Sequence, residues 1–135
     1  MPGKTQAQTD AVLNVLRATN ITAPATVYVG LFSTNPANDA SAGTELTGAG
    51  GYARQVVAFG APAADTGNVR KISNTGIITF GPATGSDWAQ AVGFGIFDAL
   101  TVGNLLYWDS LTTPKTVAVG DSAQFAVGAL VVKED

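Results

Sequence analysis

The sequence predicts an all-β fold: a single β-sandwich or jelly-roll-like domain with a short N-terminal helix or arm. Three observations predict it. From Ala25 onward, apolar side chains alternate in short runs such as Thr26-Val27-Tyr28-Val29-Gly30-Leu31-Phe32, the two-residue period of a strand. Turn residues (Gly, Asp, Asn, Pro) break those runs often enough to make about eight or nine short strands, the signature of a sandwich or barrel. Helical spacing occurs only near the start. With 135 residues, the chain suits one domain that buries roughly 65–70% of its unfolded surface. The organisation read from this is an N-terminal arm or helix over residues 1–20 and a β-sandwich over 21–135.

Taken in order, Thr5-x-x-Gln8 predicts a capping box, and Ala11, Val12, Val15 and Leu16 follow at helical spacing through Arg17. Asn20 and Pro24 end that helix. It either lies on one end of the β domain or forms an arm that docks on a neighbouring subunit. The first strand then places Val27, Val29 and Leu31 on one face. Ser33 to Gly51 reads as a long exposed loop, a length uncommon in compact domains unless it is functional or mobile. Tyr52–Phe59 resumes a strand with Val57 and Phe59 inward, Ala61–Asn68 is a second loop, and Ile78 and Phe80 pair inward in a short strand.

Trp88 to Val132 is the densest stretch. It holds both Trp, three Phe and a Tyr, with Asp98, Asp109, Lys115 and Asp121 as its only charges. Val92, Phe94 and Ile96 alternate with Gly93, Gly95 and Phe97. Glycines inside a strand need a packing reason, and the expected one is room for Trp108 or Tyr107 from a neighbouring strand. Leu105–Ser110, Val117–Val119, Ala123–Phe125 and Ala129–Lys133 complete the strands.

Composition excludes several classes. Charged residues make up 13% of the chain and hydrophobic ones 46%, about half the usual charged share. Such a surface is covered by small polar residues or buried against other subunits, which suits an assembly protein. Net charge is −3, and no basic patch extends beyond Arg70-Lys71, so no nucleic-acid partner is expected. The N-terminal M-P-G-K-T-Q-A-Q has no apolar signal-peptide core, and no apolar run is long enough to span a bilayer, so no membrane partner is expected either. Zero Cys rules out disulfides and thiolate sites.

Catalysis is not expected. Without histidine, the commonest general base and metal ligand is missing. Gly48-x-Gly50-x-x-Ala53 loosely matches a dinucleotide fingerprint, but a loop precedes it and a strand follows, so it reads as a glycine turn. Asp98, Asp109 and Asp121 each sit beside a turn signal, where Asp caps its own backbone. Trp88 and Trp108 read as core or interface residues rather than a sugar platform. Arg70-Lys71 reads as a solvated strand edge or half of a subunit salt bridge. Neither a cofactor nor a metal is expected.

Four blocks in order carry a resemblance: T-A-P-A-T-V-Y-V-G-L-F-S-T-N-P-A-N-D, G-G-Y-A-R-Q-V-V-A-F-G-A-P, G-F-G-I-F-D-A-L-T-V-G-N-L-L-Y-W-D-S-L and P-K-T-V-A-V-G-D-S-A-Q-F-A-V-G-A-L-V-V. From about Val12 to Val132 the chain resembles small virion structural proteins of tailed bacteriophages, labelled head decoration (cement) or tail-fibre-like. The resemblance implies a β-rich, non-enzymatic domain, present in many copies on the outside of the particle. Low charge, abundant Ala, Val and Thr and an exposed arm favour cement, because interface cores are depleted in charge. The expectation is a homo-trimer on the outer surface of the phage head, made in the host cytoplasm and clamping the major capsid protein across capsomer seams. A tail-fibre or receptor-binding module, using the 33–51 and 61–68 loops, is the alternative. Expected contact residues are Thr5, Val12 and Leu16 in the N-terminal segment, Asn35, Asp39 and Glu45 in the long loop, and Arg70 and Lys71.

Overall fold

The structure, a computed structural model, describes residues 3–135; Met1 and Pro2 of the predicted arm lie outside the described residues. In chain order the elements are β1 (Gly3–Lys4), α1 (Gln6–Val15), β2 (Val27–Thr34), β3 (Thr44–Glu45), a 3-10 turn (Ala49–Gly51), β4 (Gln55–Val57), β5 (Ala63–Ala64) and β6 (Arg70–Ser73). They continue with β7 (Ile78–Phe80), β8 (Ala91–Phe97), β9 (Leu105–Lys115), β10 (Ala123–Phe125) and β11 (Val131–Glu134). The fold is all-β with one short helix. The large antiparallel sheet runs β1-β9-β8-β2-β3, with β4 also paired to β2. Two smaller sheets, β10-β7 and β11-β6-β5, complete the sandwich.

The alternation in β2 and β8 explains the main core. Val29 and Leu31 of β2 and Phe94 and Ile96 of β8 turn to one face, where they meet Val57, Ile78, Phe80, Trp88, Val117 and Leu130. Each such side chain, fully buried, contributes roughly 1.5–3 kcal/mol. Tyr52 stacks on Phe80 at 6.1 Å between ring centroids and meets Trp88 edge-on at 5.6 Å. Trp88 is thus a core residue, its indole N–H donating to the Gly50 carbonyl at 2.8 Å.

The opposite face of the large sheet is also buried. Phe32, Phe97, Leu105 and Trp108 form a second cluster with Tyr28 against it. Gly93 and Gly95 face this side, and they correct the expected packing. A Cβ on Gly93 would overlap Asn35 Oδ1, and one on Gly95 would fall 2.6 Å from both Phe32 and Leu105. The room is taken by Asn35, Phe32 and Leu105, not by the rings of Trp108 or Tyr107. Trp108 instead donates its indole N–H to Asn38 Oδ1 at 3.1 Å.

These contacts also revise the Ser33–Gly51 loop. Asn35 donates to Ser110 Oγ at 2.8 Å, the Asn38 carbonyl accepts from Gln6 N–H at 2.7 Å, and Leu46 is buried in the main core. The segment is a roof over the second cluster, pinned at several points, with an unbroken exposed run at its tip, Ala37–Ala42. A run of Asn, Ser and Thr is polar enough to look solvated, yet those same groups supply the hydrogen bonds that hold it down.

The N-terminal segment is carried on the large sheet. β1 pairs with Tyr107 and Trp108 of β9, and the Thr5 hydroxyl donates to the carbonyls of Leu105 at 2.7 Å and Leu106 at 3.1 Å. The predicted capping box therefore does not form, since Thr5 makes no side-chain bond to the helix. A hydroxyl buried against a strand edge meets strand carbonyls before it can turn back to the helix amides. α1 stops at Val15, two residues short of the predicted Arg17.

An ionic latch closes β1 onto the C-terminus. Lys4 Nζ and the Tyr107 hydroxyl (2.6 Å) both donate to the Glu134 carboxylate. Burial opposes charge on Glu134, but these two bonds outweigh it and hold its carboxyl below the ordinary range. A depressed carboxyl adds stability that is complete above its unfolded pKa and is lost as pH falls through the lowered folded value. Protection of the Thr5 amide against hydrogen exchange is therefore expected to drop as pH falls from neutral through the carboxyl range, and Glu134→Gln should weaken it at neutral pH and converge with the native chain once Glu134 is protonated. Equal protection factors at pH 6 and pH 3 would rule out the latch.

Candidate assembly surface

The most unusual surface feature is α1. An amphipathic helix normally turns its apolar stripe to the core. Here Gln8, Ala11 and Asn14 face the body, while Val12, Leu13, Val15 and Leu16 are all exposed. No residue of the helix is fully buried. The predicted stripe of Ala11, Val12, Val15 and Leu16 exists, but only Ala11 of the four points inward. Small and amide side chains let the helix lie close over the sheet, leaving the large aliphatics in water. Beside it, Thr19–Pro24 and the β8–β9 turn enclose a groove of about 600 Å3, lined by Gln8, Ala11, Asn14, Ile21, Asp98 and Asn104.

The β8–β9 turn is the second feature. Leu100 and Val102 project from it into solvent, and Val102 has φ 58°, a left-handed conformation rare for a β-branched residue. Arg54 holds the turn in place. Its Nη1 donates to the carbonyls of Ala99 and Val102, both at 2.8 Å. Its Nε and Nη2 meet Glu45 Oε1 at 2.8 Å and Oε2 at 2.7 Å, and its guanidinium lies 3.4 Å from the Phe97 ring centroid. The Tyr52 hydroxyl joins the network, donating to Glu45 Oε1 at 3.0 Å and accepting the Leu31 amide at 2.8 Å. Burial first, then the neighbouring Glu45 carboxylate, drives the Tyr52 hydroxyl well above its ordinary pKa. Asp98 caps the same turn from the Asn104 amide at 2.7 Å, which lowers its carboxyl pKa despite some desolvation.

The eight expected contact residues fall in separate places. Thr5 is fully buried beneath the start of α1, tied to β9, and is not exposed to a partner. Val12 and Leu16 share the outward helix face. Asn35 lies in the roof with its Oδ1 buried and without a hydrogen-bond partner. Asp39 caps the exposed tip, accepting from the Ser41 amide at 2.9 Å, and Ser41, through its hydroxyl first and this amide second, lowers the Asp39 carboxyl pKa. Glu45 is committed to Arg54 and Tyr52. Arg70 and Lys71 sit on β6, the middle strand of its sheet, so the expected strand edge is corrected. Lys71 Nζ lies 3.1 Å from Asp65, which Lys133 also pairs at 2.7 Å, and Arg70 donates to the Pro62 carbonyl at 3.0 Å.

Leu13, Arg54, Leu100 and Val102 were not anticipated as surface or anchoring residues. Leu13 lies beside the stripe that was, so a helical wheel contained its signal; Arg54 stood in a strand with nothing local to mark its role. Among the described residues, no cluster of three or more His, Cys, Asp or Glu side chains is placed to hold a metal ion. No helix among them is long and apolar enough to cross a membrane.

The family model described as Podophage GP4 fiber I protein gp80 matches residues 3–133, whereas no curated protein matches the chain. The chain therefore belongs to this family of phage virion structural proteins.

Proposed function

We propose that this chain is a structural subunit of a phage fibre, acting by assembly and carrying out no chemistry. The observation that carries this reading is the match to a fibre-protein family over residues 3–133. The outward apolar face of α1 supports it, because a subunit that works in many copies needs apolar surface that its own core does not use. The β-sandwich supplies a rigid body, and α1 with the Leu100–Val102 turn supplies points of attachment. Its partners are other virion proteins, without nucleic acid, membrane or cofactor.

The fibre reading displaces the head-decoration reading that composition first favoured. Low charge and abundant small aliphatics suit any multi-copy interface, on the head or on the tail, so they do not choose between them. The family description does name a fibre. Gold-labelled antibody against the purified chain, imaged on intact virions, is expected to mark fibres. Label spread over the capsid surface would reject the fibre assignment, restoring cement and the major capsid protein as partner.

A further inference from the structure

We infer that α1 is a self-association element: two copies of the chain pack their α1 helices antiparallel about a twofold axis. This rests on the reading of the chain as a many-copy fibre subunit. Gln6, Leu13 and the C-cap Leu16 fall along one outward stripe with the half-buried Thr9 between them, Val12 on one flank, and Asp10 and, past the helix end, Arg17 on the other. Val12, Leu13 and Leu16 are 41%, 54% and 85% exposed. Those three expose on the order of 350 Å2 per chain, and with the flanking polar residues a symmetric pair approaches the ~1,000 Å2 at which specific interfaces begin.

Charge selects both the occupant and its direction. Asp10 and Arg17 are seven residues apart, and because Leu16 keeps helical backbone angles just past the end of α1, Arg17 continues the flank that Asp10 begins. Neither forms a salt bridge among the described residues, and Arg17 donates only to Asn14 Oδ1, at 2.9 Å. If two such helices ran parallel, the flank carrying Asp10 and Arg17 would face the partner's Val12 flank, and neither charge would gain a partner. Run antiparallel, Asp10 of one chain faces the partner's Arg17, and the same pair recurs across the axis. The crossing point then falls near Leu13, so both leucine stripes overlap when both charge pairs form. The helix face is thus self-complementary in shape and in charge, which is the property an isologous interface requires.

Sedimentation equilibrium of the full chain at micromolar concentration tests this, and a dimer is expected. Leu13→Asp and Leu16→Asp should each raise the dissociation constant by about a hundredfold, with the circular dichroism spectrum unchanged because neither side chain enters the core. Asp10→Arg and Arg17→Asp should each weaken the dimer by a factor of roughly 3–10, as exposed ion pairs do, and the double reversal should restore it. A parallel pair would be insensitive to these reversals, so a dimer that ignores them overturns the inference. A wild-type monomer or trimer overturns it too. Leu13→Cys, in a chain otherwise free of Cys, should oxidise to a disulfide-linked dimer. Labelled virions report separately on the fibre reading: fibres marked while the chain stays monomeric in solution would end the helix pair and leave the fibre assignment standing.

Discussion

Replacing Arg54 with Met is expected to lower the unfolding free energy by about 3 kcal/mol, the lower end of the range for breaking a buried ion pair from one side. Met keeps much of the side-chain length and none of the charge. The change removes two bonds to Glu45, two to the carbonyls of Ala99 and Val102, and the contact with the Phe97 ring. Arg54 and Glu45 are 9% and 24% exposed at their side chains, so the stranded Glu45 carboxylate recovers only part of its hydration. Tyr52 still donates to it. Glu45→Gln should cost less, about 1–2 kcal/mol, since an amide oxygen can still accept from Arg54 and Tyr52. Urea denaturation of the two single mutants and the double mutant measures both terms. The two changes should add to less than their sum, because they break the same interaction. A loss below about 1 kcal/mol for Arg54→Met, or strict additivity, would show that the network does not anchor the turn. The local effect is on presentation: without Arg54 the turn that holds Val102 at φ 58° keeps the Asp98–Asn104 cap but loses both bonds to its carbonyls, and Leu100 and Val102 are less firmly placed.

The contrast between β2 and its surroundings shows how far the sequence reaches. Alternation in T-V-Y-V-G-L-F identifies the strand and sends Val29 and Leu31 inward, as found. It cannot reveal that Tyr28 and Phe32 are also covered, because the cover comes from a loop whose own composition looks solvated. Gly93 and Gly95 signalled a need for space, and the sequence pointed to a neighbouring aromatic as its occupant. The register does place Trp108 opposite Gly95, but the volume goes to Phe32 and Leu105, which no periodicity could choose. Arg54 illustrates the same limit, since its partners lie 9 residues away at Glu45 and 45 and 48 residues away at Ala99 and Val102. For α1, spacing established an apolar stripe without saying which side faces the body. That orientation was set by Thr5, held by β9, and by the small side chains able to lie flat on the sheet. Asp10 and Arg17 were visible throughout, but their spacing gained meaning only once that flank was known to face outward.

Asn74→Leu is expected to cost about 4 kcal/mol, the larger of the two effects, because it strands several buried polar groups that each cost roughly 1–3 kcal/mol. Asn74 is 2% exposed. Its Oδ1 accepts the Leu130 amide at 2.9 Å, and its Nδ2 donates to the carbonyls of Gly76 at 2.8 Å and Ala126 at 2.9 Å. Leu has nearly the same volume and can make none of these bonds. Asn74→Asp separates hydrogen bonding from packing. The carboxylate can still accept from Leu130, but its other oxygen would face two carbonyls, so the neutral acid is the favoured form and the folded pKa is raised. With that sign, the destabilisation is complete above the folded pKa and is relieved as pH falls through it. Asn74→Asp should therefore regain stability relative to the native chain between pH 7 and pH 4, while Asn74→Leu should not. A flat difference for Asn74→Asp across that range would disprove the donor role. The consequence reaches the assembly surface: Asn74 fixes the turn entering β11, β11 carries Glu134, and Glu134 holds Lys4 at the foot of α1. Loosening Asn74 should expose the Thr5 amide to exchange before the main core opens, an order that follows from the connectivity of these bonds.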